Sequence, residues 1–153
     1  MNKHITSHLK LVGLIISFVL VAGSTAAYGQ GSKRQVADIP FQFQVGSETL
    51  PAGEYSVAAS SSTGETLRIS SRETNATIFR LSSPLVGLET ANKGKLVFHR
   101  YGGEYFLAEV WSAGYASGRQ LAKSGRERAL EHDRSMVGKA DARKPVEVII
   151  ALQ

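Results

Sequence analysis

The stretch Lys95-Leu-Val-Phe-His-Arg-Tyr101, Gly102-Gly103, Glu104-Tyr-Phe-Leu-Ala-Glu-Val-Trp111 decides the fold class of this chain. Two apolar-rich runs flank a Gly-Gly pair, which suits the positive φ angles of a tight two-residue β-hairpin. That loop sets the register. Arg100 is expected opposite Tyr105, Phe98 opposite Leu107 and Leu96 opposite Glu109 on one face, with His99 opposite Phe106 and Val97 opposite Ala108 on the other. Large apolar groups occupy both faces, so the hairpin is expected to lie centrally, covered on both sides or closing a barrel. Directly opposed aromatic and aliphatic pairs add roughly 0.2–1 kcal/mol each.

Upstream, the period of two continues. Ile39, Phe41, Phe43 and Val45 alternate with Asp38, Pro40, Gln42 and Gln44, the pattern of a half-buried strand. Pro40 cannot donate to a ladder, which predicts an edge position or a bulge there. Leu50-Pro51-Ala52-Gly53 reads as a turn, and Tyr55, Val57 and Ala59 as the inward face of a second strand. Leu67 and Ile69 mark a third strand and Ala76–Leu81 a fourth, whereas Ser83–Gly94 shows no clear periodicity. After Trp111, residues 112–144 read as a loop and short-helix excursion. Within it, Ser112–Gly118 is expected as loop. Ser124-Gly125-Arg126-Glu127 fits a capping box opening a short helix over Arg126–Asp133, with Ala129 and Leu130 as its apolar contacts, and Arg134–Lys144 is expected as a basic loop. Val146, Val148 and Ile150 close the chain as a final strand. The expectation is a mainly β domain: an antiparallel β-sandwich or small β-barrel of about seven strands with one short helix near the C-terminus.

The N-terminus has the three-part layout of a secretory signal peptide. Basic Lys3 and Lys10 precede an apolar run, Leu11–Ala22, and small residues follow at Gly23–Ala27. The run is about 12 residues, against roughly 20 for a spanning helix. Residues 1–29 are therefore expected to be removed, with cleavage near 26–29, leaving a single exported β domain over 30–153, periplasmic or extracellular. The sequence contains no cysteine, which removes disulfides, thiolate nucleophiles and cysteine-ligated metals. No second apolar stretch is long enough for a spanning helix.

Charge is uneven. Residues 28–118 balance eight basic against eight acidic side chains, whereas 119–144 hold eight basic against four acidic. The excess comes from Arg119, Lys123, Arg126, Arg128, Arg134, Lys139, Arg143 and Lys144, a candidate contact surface for an anionic envelope component or polysaccharide. Specific nucleic-acid recognition is not expected. Around the hairpin, His99, Arg100, Tyr105, Leu107 and Trp111 are candidates for an apolar or sugar pocket in a lipocalin-like barrel, with Arg100 over Tyr105 as a cation–π pair. His99 is also the one candidate for hydrolytic general-base chemistry, with Glu104 or Glu109 as its orienting carboxylate across the hairpin. Gly114-Tyr-Ala-Ser-Gly118 lacks the glycine-x-serine spacing of a nucleophile elbow. No metal-ligand cluster, phosphate-binding loop, catalytic motif or cofactor site is recognised, and the leading expectation is a non-enzymatic binding or envelope-associated module.

Three blocks, Val36-Ala-Asp-Ile-Pro-Phe-Gln-Phe43 running into Leu50-Pro-Ala-Gly-Glu-Tyr55, the 95–111 hairpin, and Gly118-Arg-Gln-Leu121 followed by Ser124–Leu130, together resemble a set of small exported bacterial hypothetical proteins. That resemblance implies an exported β domain and brings no activity, substrate or catalytic residue. The LPAGEY block is also similar to the turn-strand of carboxypeptidase-regulatory-like modules, which implies a β-sandwich.

Overall fold

The computed structural model describes residues 35–61, 63–90, 92–137 and 145–153. The expected signal peptide lies outside the described residues. Among those described there are ten strands: β1 (Gln35–Ile39), β2 (Phe43–Val45), β3 (Glu48–Leu50), β4 (Gly53–Ala59), β5 (Thr66–Ser71), β6 (Thr77–Val86), β7 (Lys95–Tyr101), β8 (Glu104–Trp111), β9 (Ser117–Leu121) and β10 (Val146–Ala151). One helix, α1 (Gly125–Val137), lies between β9 and β10. The chain is mainly β, as its alternation implied.

The ladders run β1-β4-β5-β6-β9-β8-β7-β10, all antiparallel, and β2 adds a single parallel pairing to β8 through Gln44 and Phe106. The ends of this path meet. Val36 and Gln153 exchange two backbone hydrogen bonds (3.3 and 2.8 Å), and Leu152 N–H donates to the Gly94 carbonyl at 2.8 Å. Strand β6 is the hinge of the arrangement, because its first half, Thr77–Leu81, pairs with β5 and its second, Ser82–Val86, pairs with β9.

More strands form than the seven expected. The run 36–45 divides at Pro40, which supplies no ladder donor, into β1 and β2. Leu50 closes a short hairpin, β2–β3, rather than lying in a bare turn. The aperiodic start of the 83–94 connection is the second half of β6, and the end of the expected 112–118 loop begins β9. The first was hidden because its side chains are mostly exposed, the second because its run Ser-Gly-Arg-Gln offers no apolar alternation before Leu121.

The hairpin places Phe98 opposite Leu107, His99 opposite Phe106 and Arg100 opposite Tyr105, as its loop requires. A bulge between Val97 and Phe98 then shifts the register. Leu96 pairs with Val110 and Val97 with Glu109, not with Glu109 and Ala108 as a regular ladder would have it. The shift brings Val110 into the core and keeps the Glu109 carboxylate out of it, which accounts for the bulge energetically.

The inner face is filled by Ile39, Phe43, Val45, Tyr55, Ile69, Leu96, Phe98 and Leu107, all buried. Phe98 meets Phe41 and Phe43 edge-on at 5.3 and 5.4 Å, Phe43 meets Tyr55 at 5.0 Å, and Phe41 stacks on Tyr105 at 3.9 Å. The buried Tyr55 hydroxyl donates to the Pro51 carbonyl at 2.8 Å, so the turn-strand block ties itself to the core. The outer face of the hairpin is buried too, at Val97, Tyr101, Phe106 and Ala108.

At the far end Trp111 lies flat on Gly118, whose α-carbon faces the indole. A Cβ there would sit 2.6 Å from the ring. Gly118→Ala is expected to destabilise the fold by about 1–3 kcal/mol, read as a lowered urea midpoint with unchanged slope. Wild-type stability in this variant would contradict the packing of Trp111 on β9.

Candidate functional site

Two places gather chemistry. The first is the contact between α1 and the outer face of β7. Ser124 opens α1 as expected, with its Oγ accepting from the Glu127 N–H at 3.0 Å. The reciprocal half of the capping box does not form. The Glu127 side chain points to the sheet, where its carboxylate accepts from His99 Nδ1 at 2.8 Å, with only 12% and 5% of the two side chains exposed. His99 therefore takes its carboxylate from α1. Glu104 instead binds Arg126 (2.5 Å) and Gln44 (3.0 Å), and Glu109 accepts from the Trp111 indole N–H at 2.7 Å.

The helix is longer than expected, Gly125–Val137 against 126–133, and its apolar contribution is small: Ala129 and Met136 are exposed and Leu130 is half-buried. Polar contacts hold it instead. Besides the His99–Glu127 and Glu104–Arg126 pairs, the Arg134 guanidinium lies 5.8 Å over the Tyr101 ring and donates weakly to the Arg100 carbonyl at 3.5 Å. Beneath it the Tyr101 hydroxyl is buried with no hydrogen-bond partner among the described residues. Its pKa is pushed up to about 12 by burial first and by the nearby Glu127 and Glu131 carboxylates second, so the phenol stays protonated. Chemically this is an oriented His–Glu dyad beside a neutral phenol. The one hydrogen bond of the His99 ring among the described residues runs to Glu127, and no serine or threonine hydroxyl is held against it.

The second place is an open groove of about 630 Å³ between the β2–β3 turn (Gly46, Ser47, Glu48), the first half of β6 (Phe79, Arg80, Leu81) and the connector from β9 to α1 (Leu121–Gly125). Arg80 pins one wall, donating to the Val45 carbonyl at 3.3 Å and pairing with Glu48 at 2.8 Å. Lys123 on the opposite wall pairs with Glu131 at 2.5 Å.

The residues singled out in the sequence fall out as follows. Of the basic set, Arg119 donates to the Thr63 carbonyl, Arg128 to the Lys123 carbonyl at 2.7 Å, and Lys123, Arg126 and Arg134 are engaged as above. Lys139, Arg143 and Lys144 lie outside the described residues. The hairpin set is not gathered around one space. Leu107 belongs to the inner core, Tyr105 is stacked on Phe41, and Arg100 lies 6.0 Å from the Tyr105 ring, the expected cation–π pair. His99 faces the helix, on the opposite side of the sheet, and Trp111 packs on Gly118 with the Lys95 ammonium 5.5 Å above its ring. The sequence did not reveal Glu127 as the partner of His99. The one available signal was that a capping-box glutamate followed a strand histidine in a chain poor in histidine. The groove was not legible either, because its walls come from three separate segments. No protein-family model, curated protein or solved structure matches this chain.

Removing one member of the buried pair leaves the other unsatisfied, so His99→Ala is expected to loosen α1 by about 1–3 kcal/mol. Hydrogen exchange should quicken across 125–137 while β7 and β8 keep their protection. Unchanged helix exchange would show that α1 is held by something else.

The Glu104 carboxyl is held below its ordinary 4.5, first by the hydrogen bonds from Arg126. A depressed carboxylate contributes stability that is present above its ordinary value and lost as pH falls through the depressed one. Melting is therefore expected to fall on acidification below pH about 4.5, and Glu104→Gln to flatten part of that fall. An identical acid profile in the variant would contradict the pairing.

Proposed function

We propose that the protein is an exported, non-enzymatic binding module whose cationic arm, running from Arg119 on β9 through α1 to Arg134, contacts an anionic component of the cell envelope or an acidic polysaccharide. The observation that carries this reading is the fate of the helix carboxylates. Glu127 is buried on His99 and Glu131 is paired with Lys123, whereas Arg126, though paired with Glu104, stays more than half exposed and the exposed Arg128 donates, among the described residues, to a backbone carbonyl. Of the acidic groups on α1, Asp133 is the one left exposed. The outward face of the helix is thus more positive than its sequence. The same arrangement supports a structural role for His99: its Nδ1 fastens the helix, and a hydrolase would need a nucleophile on the other ring nitrogen. The lipocalin-like alternative has less support, since Leu107 and Tyr105 are used in packing.

Each cation near an anionic surface adds about 1 kcal/mol, screened within a Debye length of about 10 Å at 0.1 M salt. Retention on phosphatidylglycerol-containing vesicles or dextran sulfate should therefore fall with salt. Arg119→Gln combined with Arg128→Gln should weaken it about tenfold or more, with neutral dextran as the blank. Salt-insensitive retention, or the same retention in the double variant, would reject the reading.

A further inference from the structure

Beyond the paired core, two connections end together in exposed apolar side chains. The β5 ladder stops at Leu81 of β6 and the β8 ladder at Gly118 of β9, while β6 and β9 stay paired as far as Val86 and Ser117. Gly87 N–H then donates to the Ala116 carbonyl at 2.6 Å, which holds the start of the β6–β7 connection against the β8–β9 turn. Three large apolar side chains stand at this tip: Val86 is 88% exposed, Leu88 105% and Tyr115 60%. The exposure is built in. A Cβ on Gly87 or Gly118 would come within 3.0 or 2.6 Å of the Trp111 ring, so the indole braces both connections from one side. Successive strand residues alternate in side, so Val86 is turned away from the indole that Gly87 touches. Leu88, with its whole surface free, belongs to a projection and not to the wall of a pocket. Contiguous exposed apolar groups on a braced support mark a contact surface.

The charged side chains of these connections and of the strands beside them are Lys93, Lys95 and Arg119 against Glu89 and Glu109. The Glu109 carboxylate is turned back to the Trp111 indole N–H, and the Lys95 ammonium lies over the same ring. Arg119 pairs with Pro84, on the same side of the ribbon as Val86 and roughly 7 Å behind it along the strand. Its guanidinium is held there by the Thr63 carbonyl. A cation set back by that distance from projecting apolar groups matches a bilayer interface, where apolar groups enter about 5–10 Å into the headgroup–acyl boundary. A tyrosine among them suits the same region. Three side chains fall well short of the roughly 800 Å² per partner that a stable protein interface buries. They are enough for interfacial attachment when charge assists.

We propose that this tip docks on an anionic lipid bilayer, with Val86, Leu88 and Tyr115 entering the headgroup–acyl boundary and Arg119 at the level of the headgroups. The inference rests on the cationic reading above and narrows its anionic partner to lipid, since a polysaccharide offers no apolar layer for the tip.

The chain has no cysteine, so an environment-sensitive dye can be placed on Leu88→Cys alone or, as the control, on Thr74→Cys in the turn at the other end of β6. Adding phosphatidylglycerol-containing vesicles should shift the emission at position 88 to the blue and leave that at position 74 unchanged. Leu88→Ser combined with Tyr115→Ser should weaken vesicle retention tenfold or more, with dextran sulfate retention and melting temperature intact. Leu81→Ser, an exposed apolar position outside the tip, should alter none of these. Unshifted emission at position 88 on bound vesicles, full vesicle retention in the double serine variant, or self-association that this variant abolishes would each overturn the proposal. Retention on dextran sulfate with none on vesicles would overturn the tip and leave the cationic reading standing. Vesicle retention that needs Leu88 and Tyr115 but not Arg119 and Arg128 would do the reverse.

Discussion

The rest of the structure depends on β6 serving two ladders in turn. Five of its residues complete the array β1-β4-β5 and the next five open the array β9-β8-β7-β10. A strand of ordinary length would satisfy one neighbour and stop. At ten residues β6 is long enough to join the two halves, and its change of partner lets the path turn until Val36 meets Gln153. The consequence is geometric: wherever a strand leaves one partner before gaining the next, two half-edges are exposed. Here one is closed by Pro84, and on the other the Arg80 guanidinium caps the Phe79 carbonyl at the wall of the groove.

The hairpin β7–β8 carries the second constraint, since it has two apolar faces and both must be covered. The inner face meets the aromatic cluster around Phe98. The outer face is met by a helix with little apolar surface of its own, so α1 is fastened by the His99–Glu127 and Glu104–Arg126 pairs and by Arg134 over Tyr101. Polar fastening of this kind is directional but weaker than packing, so α1 is expected to open more readily than the sheet beneath it. On the proposed reading it also bears on binding. By drawing Glu127 inward, the fastening leaves arginines on the exposed face.

The sequence reading was most faithful where a single period ran unbroken. The hairpin turn, three of its cross-strand pairs, the Ser124 cap and the inward sets Ile39-Phe43-Val45, Tyr55-Val57 and Leu67-Ile69 were all legible from alternation and turn chemistry. It failed where the signal was not local. The bulge at Val97/Phe98 lies within two continuous apolar runs, so neither strand announces it. Strand β9 and the second half of β6 carry no apolar alternation and are recognised by their ladder pairing, with each other and, for β9, with β8. Glu127 matched a local motif and was claimed by a residue 28 positions away, because a buried histidine offers a carboxylate a stronger partner than the backbone N–H of the cap. The candidate site is the least legible part for the same reason: a groove walled by Gly46–Glu48, Phe79–Leu81 and Leu121–Gly125 exists only after the chain has folded.

Site-resolved amide hydrogen exchange along β6 tests the central claim most directly. If β6 changes partner at its midpoint, Ile78 and Arg80 are protected by β5, Ser83 and Leu85 are protected by β9, and Thr77 and Phe79 exchange faster than their immediate neighbours. Equal protection at Thr77, Ile78, Phe79 and Arg80 would mean that β6 is flanked on both sides along its first half, and would contradict the account.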